Sequence, residues 1–180
     1  MSKKLIAPVA MLSYPNLYEP RAYGGGEPKY SAALVFPKGS DLSEIKKAIK
    51  EAAKDRFGDK AASVLKTNTP LRTDTEAKGY PEGSTFFNAK STRQPQVVTR
   101  YADPKTGKPM LIDEDMATEP DGQNEIYPGL MVKALISVYA YDTNGNKAVA
   151  FRLEGLQRWE DADRLAGARA VEVFSAARPA

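Results

Sequence analysis

Apolar and polar positions alternate most clearly toward the two ends of the chain. Near the start, "PVAMLSY" and "KYSAALVF" are short apolar-rich runs separated by the Pro/Gly-rich stretch "YEPRAYGGGEPKY", which predicts two strands joined by a loose connection. Downstream, "LMVKALISVYAYDTNGNKAVAFRLEGLQ" predicts a hairpin. Its turn is Asn144-Gly145, a dipeptide that tolerates the positive φ angles of a tight type I′ turn. Val132, Ala134, Ile136, Val138 and Ala140 share one phase before the turn, as do Val149, Phe151 and Leu153 after it. Those phases face a core, which leaves Lys133, Tyr139, Tyr141 and Arg152 for the opposite face.

Between the ends the period changes to that of a helix. In "DLSEIKKAIKEAAKDRFG", Leu42, Ile45, Ile49, Ala52 and Ala53 form a stripe. Asp41 followed by Glu44 fits a capping box, and Gly58 is a natural terminator. Lys46, Lys47, Lys50 and Lys54 fall on the wet side, where solvation accounts for them and a DNA-binding face is the second reading. Residues 67–83, with Pro70, Gly79, Pro81 and Gly83, read as a loop. "STFFNAKS" and "QPQVVTRY" predict two further strands, "DPKTGKP" a turn, and "DEDMATEPDGQNE" a polar acidic loop. Several short strands and one long helix predict a mainly β fold, a small closed barrel with loop insertions, as a single domain over 1–180.

Composition narrows the chemistry. The chain has neither cysteine nor histidine, which removes disulfides, thiolate or imidazole metal sites and His-based nucleophilic triads. No apolar run approaches the roughly 20 residues of a membrane span, and the expectation is a cytoplasmic protein without a cofactor. The net charge of +3 is unevenly spread: residues 1–40 hold five Lys/Arg against two Asp/Glu, while residues 111–130 hold six acids and no base. Basic regions around an acidic segment point to an anionic partner and to something that limits its binding.

The triple glycine Gly24–Gly26 leads into Glu27-Pro28 and a strand, not into Gly-Lys-Ser/Thr and a helix, so it is no phosphate loop. It reads instead as a deformable connection among tyrosines and cations. Exposed rings interleaved with cations suit single-stranded nucleic acid, because every base has a π-face and cations track the phosphates. Tyr14, Tyr23, Tyr30, Phe86, Tyr139 and Tyr141 are the candidate stacking rings. Arg21, Lys29, Lys38, Lys90, Arg93, Lys133 and Arg152 are the candidate phosphate partners. Strand alternation puts Phe86, Asn88 and Lys90 on one face and Phe87 and Ala89 on the other. The carboxylates between Asp113 and Asp121 raise a metal-dependent nuclease as an alternative. Their setting beside Pro120 and Gly122 lacks the rigidity that two-metal catalysis requires. A virion or assembly module without DNA affinity is the other alternative.

Several segments together resemble one family: "YSAALVFPKGSDLSEIKKAI", "TFFNAKSTRQPQVV", "IYPGLMVKALISVYAYDTNGNKAVAFRLEGLQ" and "ADRLAGA". It is a family of tailed-phage proteins, first catalogued as a domain of unknown function and understood as single-stranded-DNA-binding proteins with an OB fold. The family pattern covers Tyr30, Pro37-Lys38, Pro95 to Val98, Tyr127, Gly129 and the run Tyr139 to Arg152. The resemblance implies a five-stranded barrel in the host cytoplasm that coats replication or recombination intermediates without catalysis. Phage replication proteins are then candidate partners, and monomer and dimer both stay open. Proteins of this kind often end in an acidic tail that competes with DNA. This chain ends "VFSAARPA", which leaves a missing tail, a shortened chain, or a part in that role for 111–125.

Overall fold

The computed structural model describes residues 3–22, 26–74, 79–120 and 122–165. The order along the chain is β1 (Lys3–Ile6), β2 (Ala10–Arg21), β3 (Lys29–Phe36), α1 (Ser43–Phe57), α2 (Ala61–Thr67), β4 (Thr85–Ser91), β5 (Gln96–Ala102), β6 (Pro109–Leu111), α3 (Glu114–Thr118), β7 (Met131–Thr143) and β8 (Asn146–Glu160). The eight strands form one sheet in the order β1-β7-β2-β3-β4-β8-β5-β6, and β7 also pairs with β8. A ring therefore runs β7-β2-β3-β4-β8 and back to β7. Every pair in it is antiparallel except β4 with β8, which is parallel. The fold is mainly β, as the alternation predicts, with β1, β5 and β6 added outside the ring.

The hairpin forms at the predicted turn, with φ of 53° at Asn144 and 84° at Gly145. Inside the ring Leu12, Leu34, Phe36, Phe87, Ile136, Val138, Phe151 and Leu153 are buried. Phe87 stacks on Phe151 with centroids 3.8 Å apart and touches Phe36 at 5.5 Å. Helix α1 adds Ile45, Ala48, Ile49, Ala52 and Ala53 to this core, and Lys3 Nζ reaches Glu51 at 2.6 Å to tie β1 to it.

Three local expectations change. The helix begins at Ser43 with Leu42 as its N-cap, so no capping box forms; Asp41 instead accepts from the Ser43 N–H at 3.1 Å and the Ser43 hydroxyl at 2.7 Å. That turn still satisfies a first-turn N–H. Gly58 ends α1, but a 3₁₀ turn at Gly58–Lys60 restarts the chain into α2, so there are two helices where the pattern showed one. The acidic segment contains α3, whose N-cap Asp113 accepts from the Met116 N–H at 2.9 Å and whose Ala117 is buried.

The chain after β8 folds back over residues 125–129. Tyr127 donates from its hydroxyl to Asp161 and accepts from the Ala162 N–H, both at 3.0 Å. Arg158 donates to the Glu125 carbonyl at 3.0 Å and pairs with Asp161, and Arg164 pairs with Glu125. Leu165 donates its N–H to the Pro128 carbonyl at 3.0 Å and packs against a small second core of Val35, Tyr80 and Phe86.

Candidate nucleic-acid interface

Register defines the outer face of the ring. Ser31 lies opposite Lys90 and Ala33 opposite Asn88, Lys90 lies beside Arg152, and β8 sets Arg152 against Ser137 and Ala150 against Tyr139. Paired residues share a side of the sheet. Ser31, Lys90, Arg152 and Ser137 thus make one row across four strands, and Ala33, Asn88, Ala150 and Tyr139 make the next. Small residues in the floor and long ones at the margin leave a groove of about 660 Å³, whose lining includes Lys29, Arg72, Asn88, Lys90, Tyr139, Tyr141 and Arg152. An adjoining depression of about 230 Å³ shares Lys29 and Lys90 with it and adds Arg21, Gly26 and Glu27.

The hairpin arm supplies the rings. Tyr139 and Tyr141, two residues apart on one face of β7, stand with centroids 6.3 Å apart and planes tilted by 42°. The Arg152 guanidinium lies 4.9 Å from the Tyr139 ring, a cation–π contact that holds both groups in place at the groove wall. Lys29 and Lys90 are exposed on neighbouring strands. Chemically the groove offers rings for stacking beside cations for phosphates, with amide and hydroxyl groups such as Asn88 and Thr92 on its lining.

Six of the predicted residues therefore converge: Arg21, Lys29, Lys90, Tyr139, Tyr141 and Arg152. Phe86 is a correction. Its side chain is fully buried, edge-on to Tyr80 at 5.2 Å with the Arg72 guanidinium 5.3 Å from its ring. Arg72 and Tyr80 lie across this end of β4, with Arg72 and Phe86 exchanging both backbone hydrogen bonds. That cover turns an outward position into a second small core, and the ring is not available for stacking. Tyr30 lies opposite Ser91 on the enclosed side of β3 and is half-buried, so it does not line the groove.

The other candidates lie apart from it. Tyr14 is 63% exposed at a bulge in β2, held at φ 46°; such bulges re-aim a side chain. Lys38 lays its stem against Gly83, and Arg93 is exposed between β4 and β5. Lys133 belongs to a different cluster, with Trp159. Tyr23 lies outside the described residues, as do Gly24 and Gly25 of the glycine stretch. Sequence reasoning missed Arg72, which only its bridge to Phe86 brings to the groove. Its guanidinium also holds Asp74 at 2.6 and 3.1 Å.

The acidic segment sits elsewhere, along β2. Glu19 and Glu114 line a depression beside Tyr18, Ala117 and Ile126. Among the described residues no three carboxylates gather as a metal site; Asp121 lies outside them, and Asp113 is engaged as the α3 cap. Among the described residues no helix is long and apolar enough to cross a membrane.

Known proteins resemble this chain in sequence and in fold. A family model described as "Enterobacter phage Enc34, ssDNA-binding protein" matches residues 3–179. A curated relative, putative protein p50 of Acyrthosiphon pisum secondary endosymbiont phage 1, is 31% identical over 173 residues, covering 90% of this chain and 86% of that protein. Among solved structures, the single-stranded DNA-binding protein from bacteriophage Enc34 in complex with ssDNA aligns with a TM-score of 0.69 at 22% identity, covering 91% of this chain and 89% of the other. The single-stranded DNA-binding protein gp2.5 encoded by bacteriophage T7 aligns with a TM-score of 0.56 at 19% identity, covering 100% of both chains.

Proposed function

The chain belongs to the family of the Enterobacter phage Enc34 ssDNA-binding protein, and from that premise we propose that it binds and coats single-stranded DNA through the groove on the outer face of the ring. The observation that carries this reading is the convergence of Tyr139, Tyr141, Lys29, Lys90 and Arg152 on one concave surface. Bases stack on the hairpin tyrosines while Arg21, Lys29, Arg72, Lys90 and Arg152 meet the phosphates. The ring, with its one parallel pair between β4 and β8, supports an OB-type barrel. In an OB fold the face of strands 2 and 3, with the loops between strands 1–2 and 4–5, binds oligonucleotides. Here the corresponding parts are β3, β4, the connection after Arg21 and the arm that carries Tyr139 and Tyr141. The role is non-catalytic, in the host cytoplasm, on replication or recombination intermediates. Tyr14, Tyr23, Lys38 and Arg93 are proposed for the margins of the bound strand, while Tyr30 on the enclosed side of β3 and Lys133 beside Trp159 are not part of the groove contact.

Fluorescence anisotropy with labelled oligo-dT and with duplex DNA of equal length tests this. The single strand is expected to bind more tightly, and log K is expected to fall with log salt at about −0.7 per neutralised phosphate. Five contacting cations would give a slope of roughly −3 to −4. Tyr139→Ala is expected to remove about 1–3 kcal/mol of binding, the range for one stacked base. Preference for duplex would overturn the single-strand reading, and no binding to either would return the surface to protein contacts.

A further inference from the structure

The outer face of β7 and β8 carries a second group well away from the groove. Trp159, the single tryptophan of the chain, is the extra residue of a bulge: Val132 pairs with Arg158 and Met131 with Glu160. Its ring stands close to two cations, one from each strand flanking β8. Lys133 Nζ on β7 is 3.9 Å from the ring centroid, and the Arg100 guanidinium on β5 is 4.1 Å from it. Arg100 also donates to the Trp159 carbonyl at 3.4 Å. Among the described residues neither cation has a carboxylate partner. Their charge is held in place by the indole and is not neutralised.

The surface between this group and the groove is continuous. From Arg152 opposite Ser137, the pairs run to Gly155 opposite Leu135 and Gln157 opposite Lys133. Leu135 and its β1 partner Ile6 are 37% and 69% exposed, an apolar step between two cationic ones. Lys4 pairs opposite Ser137. Of the acids on this face, Glu154 accepts from the Ser137 hydroxyl at 2.9 Å and lies 3.9 Å from both Lys4 and Arg152, and the exposed Glu160, opposite Met131, closes the far end beyond Trp159. The strip thus resembles the groove in setting an aromatic ring beside cations, and adds exposed apolar surface between them. Trp159 lies seven positions along β8 from Arg152, on the order of 20 Å at strand rise.

We propose that single-stranded DNA lying in the groove continues along β7 and β8 to a second contact station formed by Arg100, Lys133 and Trp159. Only strands long enough to span the strip reach it. The two fixed cations each take a phosphate, and Leu135 with Ile6 gives the intervening bases an apolar surface. This extension rests on the groove reading, and one experiment separates the two.

The full chain is titrated with oligo-dT of about 4 and about 16 nucleotides, the bounds of OB-fold site sizes. Anisotropy of labelled strands reports binding, and Trp159 emission with unlabelled strands reports the station. Both lengths are expected to bind, with emission changing only for the longer one. In Arg100→Gln/Lys133→Gln the salt slope for the longer strand is expected to become shallower by about 1.4, two phosphates at roughly 0.7 each, with the shorter strand unaffected. Binding of both lengths with unmoved emission, or an unchanged slope in the variant, would overturn the extension and leave the groove standing. An emission change of equal size with the short strand would also overturn it. Failure of both lengths to bind would remove the groove reading itself.

Discussion

The hydroxyl of Tyr18 donates to the Ile112 carbonyl at 2.7 Å, which fastens β2 to the start of the acidic segment. Burial pushes this phenol up to about 12, and the nearby carboxylates of Asp113 and Glu114 push in the same direction. The native state therefore holds a proton that the unfolded chain releases near the ordinary value of 10. By linkage, the contribution of Tyr18 is fully present below pH 10 and is lost as pH rises toward 12. Tyr18→Phe cannot titrate. It is expected to be less stable than the parent at pH 8 by about 1 kcal/mol, the net worth of the lost hydrogen bond, and to close that gap by pH 11. Denaturant unfolding at the two pH values measures this, and a gap of the same size at both would contradict the assignment.

At the scale of elements, the fold-back after β8 depends on one backbone position. Gly129 has φ 106°, and a Cβ there would stand 2.1 Å from the Asp163 carbonyl oxygen and 3.0 Å from the Arg164 Cα. Gly129→Ala is expected to lift the segment, with a loss of roughly 1–3 kcal/mol from the backbone strain alone. At about 2–4 °C per kcal/mol for a chain of this size, a thermal melt should fall by several degrees. An unchanged melting temperature would mean that the segment does not cross there. Of such elements, the sequence declared those whose signal is local. The β7–β8 hairpin was legible because Asn144-Gly145 fixes the turn and Val132 to Val138 keep a strict period of two. The groove residues on those strands followed from the same alternation. Phe86 was misread because its phase is outward, and residues distant in sequence, Arg72, Tyr80 and Leu165, cover that small core. Trp159 escaped notice for a related reason, since a bulge breaks the period that would have assigned it a face. Helix α2 was hidden behind Gly58, a residue that stops a helix without saying whether another begins.

For the whole molecule, charge is the property that acts beyond contact distance. Arg21, Lys29, Lys90 and Arg152 make the groove attractive to a polyanion, while Glu19 and Glu114 lie farther back along the connection that β2 makes with α3. A strand entering the groove is therefore expected to meet a field of mixed sign in which the acidic segment lowers the attraction. Three of its carboxylates are exposed and do not form the α3 cap or the pairing of Glu125 with Arg164: Glu114, Asp115 and Glu119. Glu114→Gln/Asp115→Asn/Glu119→Gln raises the formal net charge of +3 by three and removes no contact that holds the fold-back in place. At about 0.01 M salt, where the screening length is roughly 30 Å, this variant is expected to bind oligo-dT a few-fold more tightly. The advantage is expected to shrink as salt rises and to vanish near 1 M, where screening acts within about 3 Å. An advantage that persists at high salt would indicate a direct contact in place of a field. Equal affinities at low salt would mean that the acidic segment does not temper DNA binding.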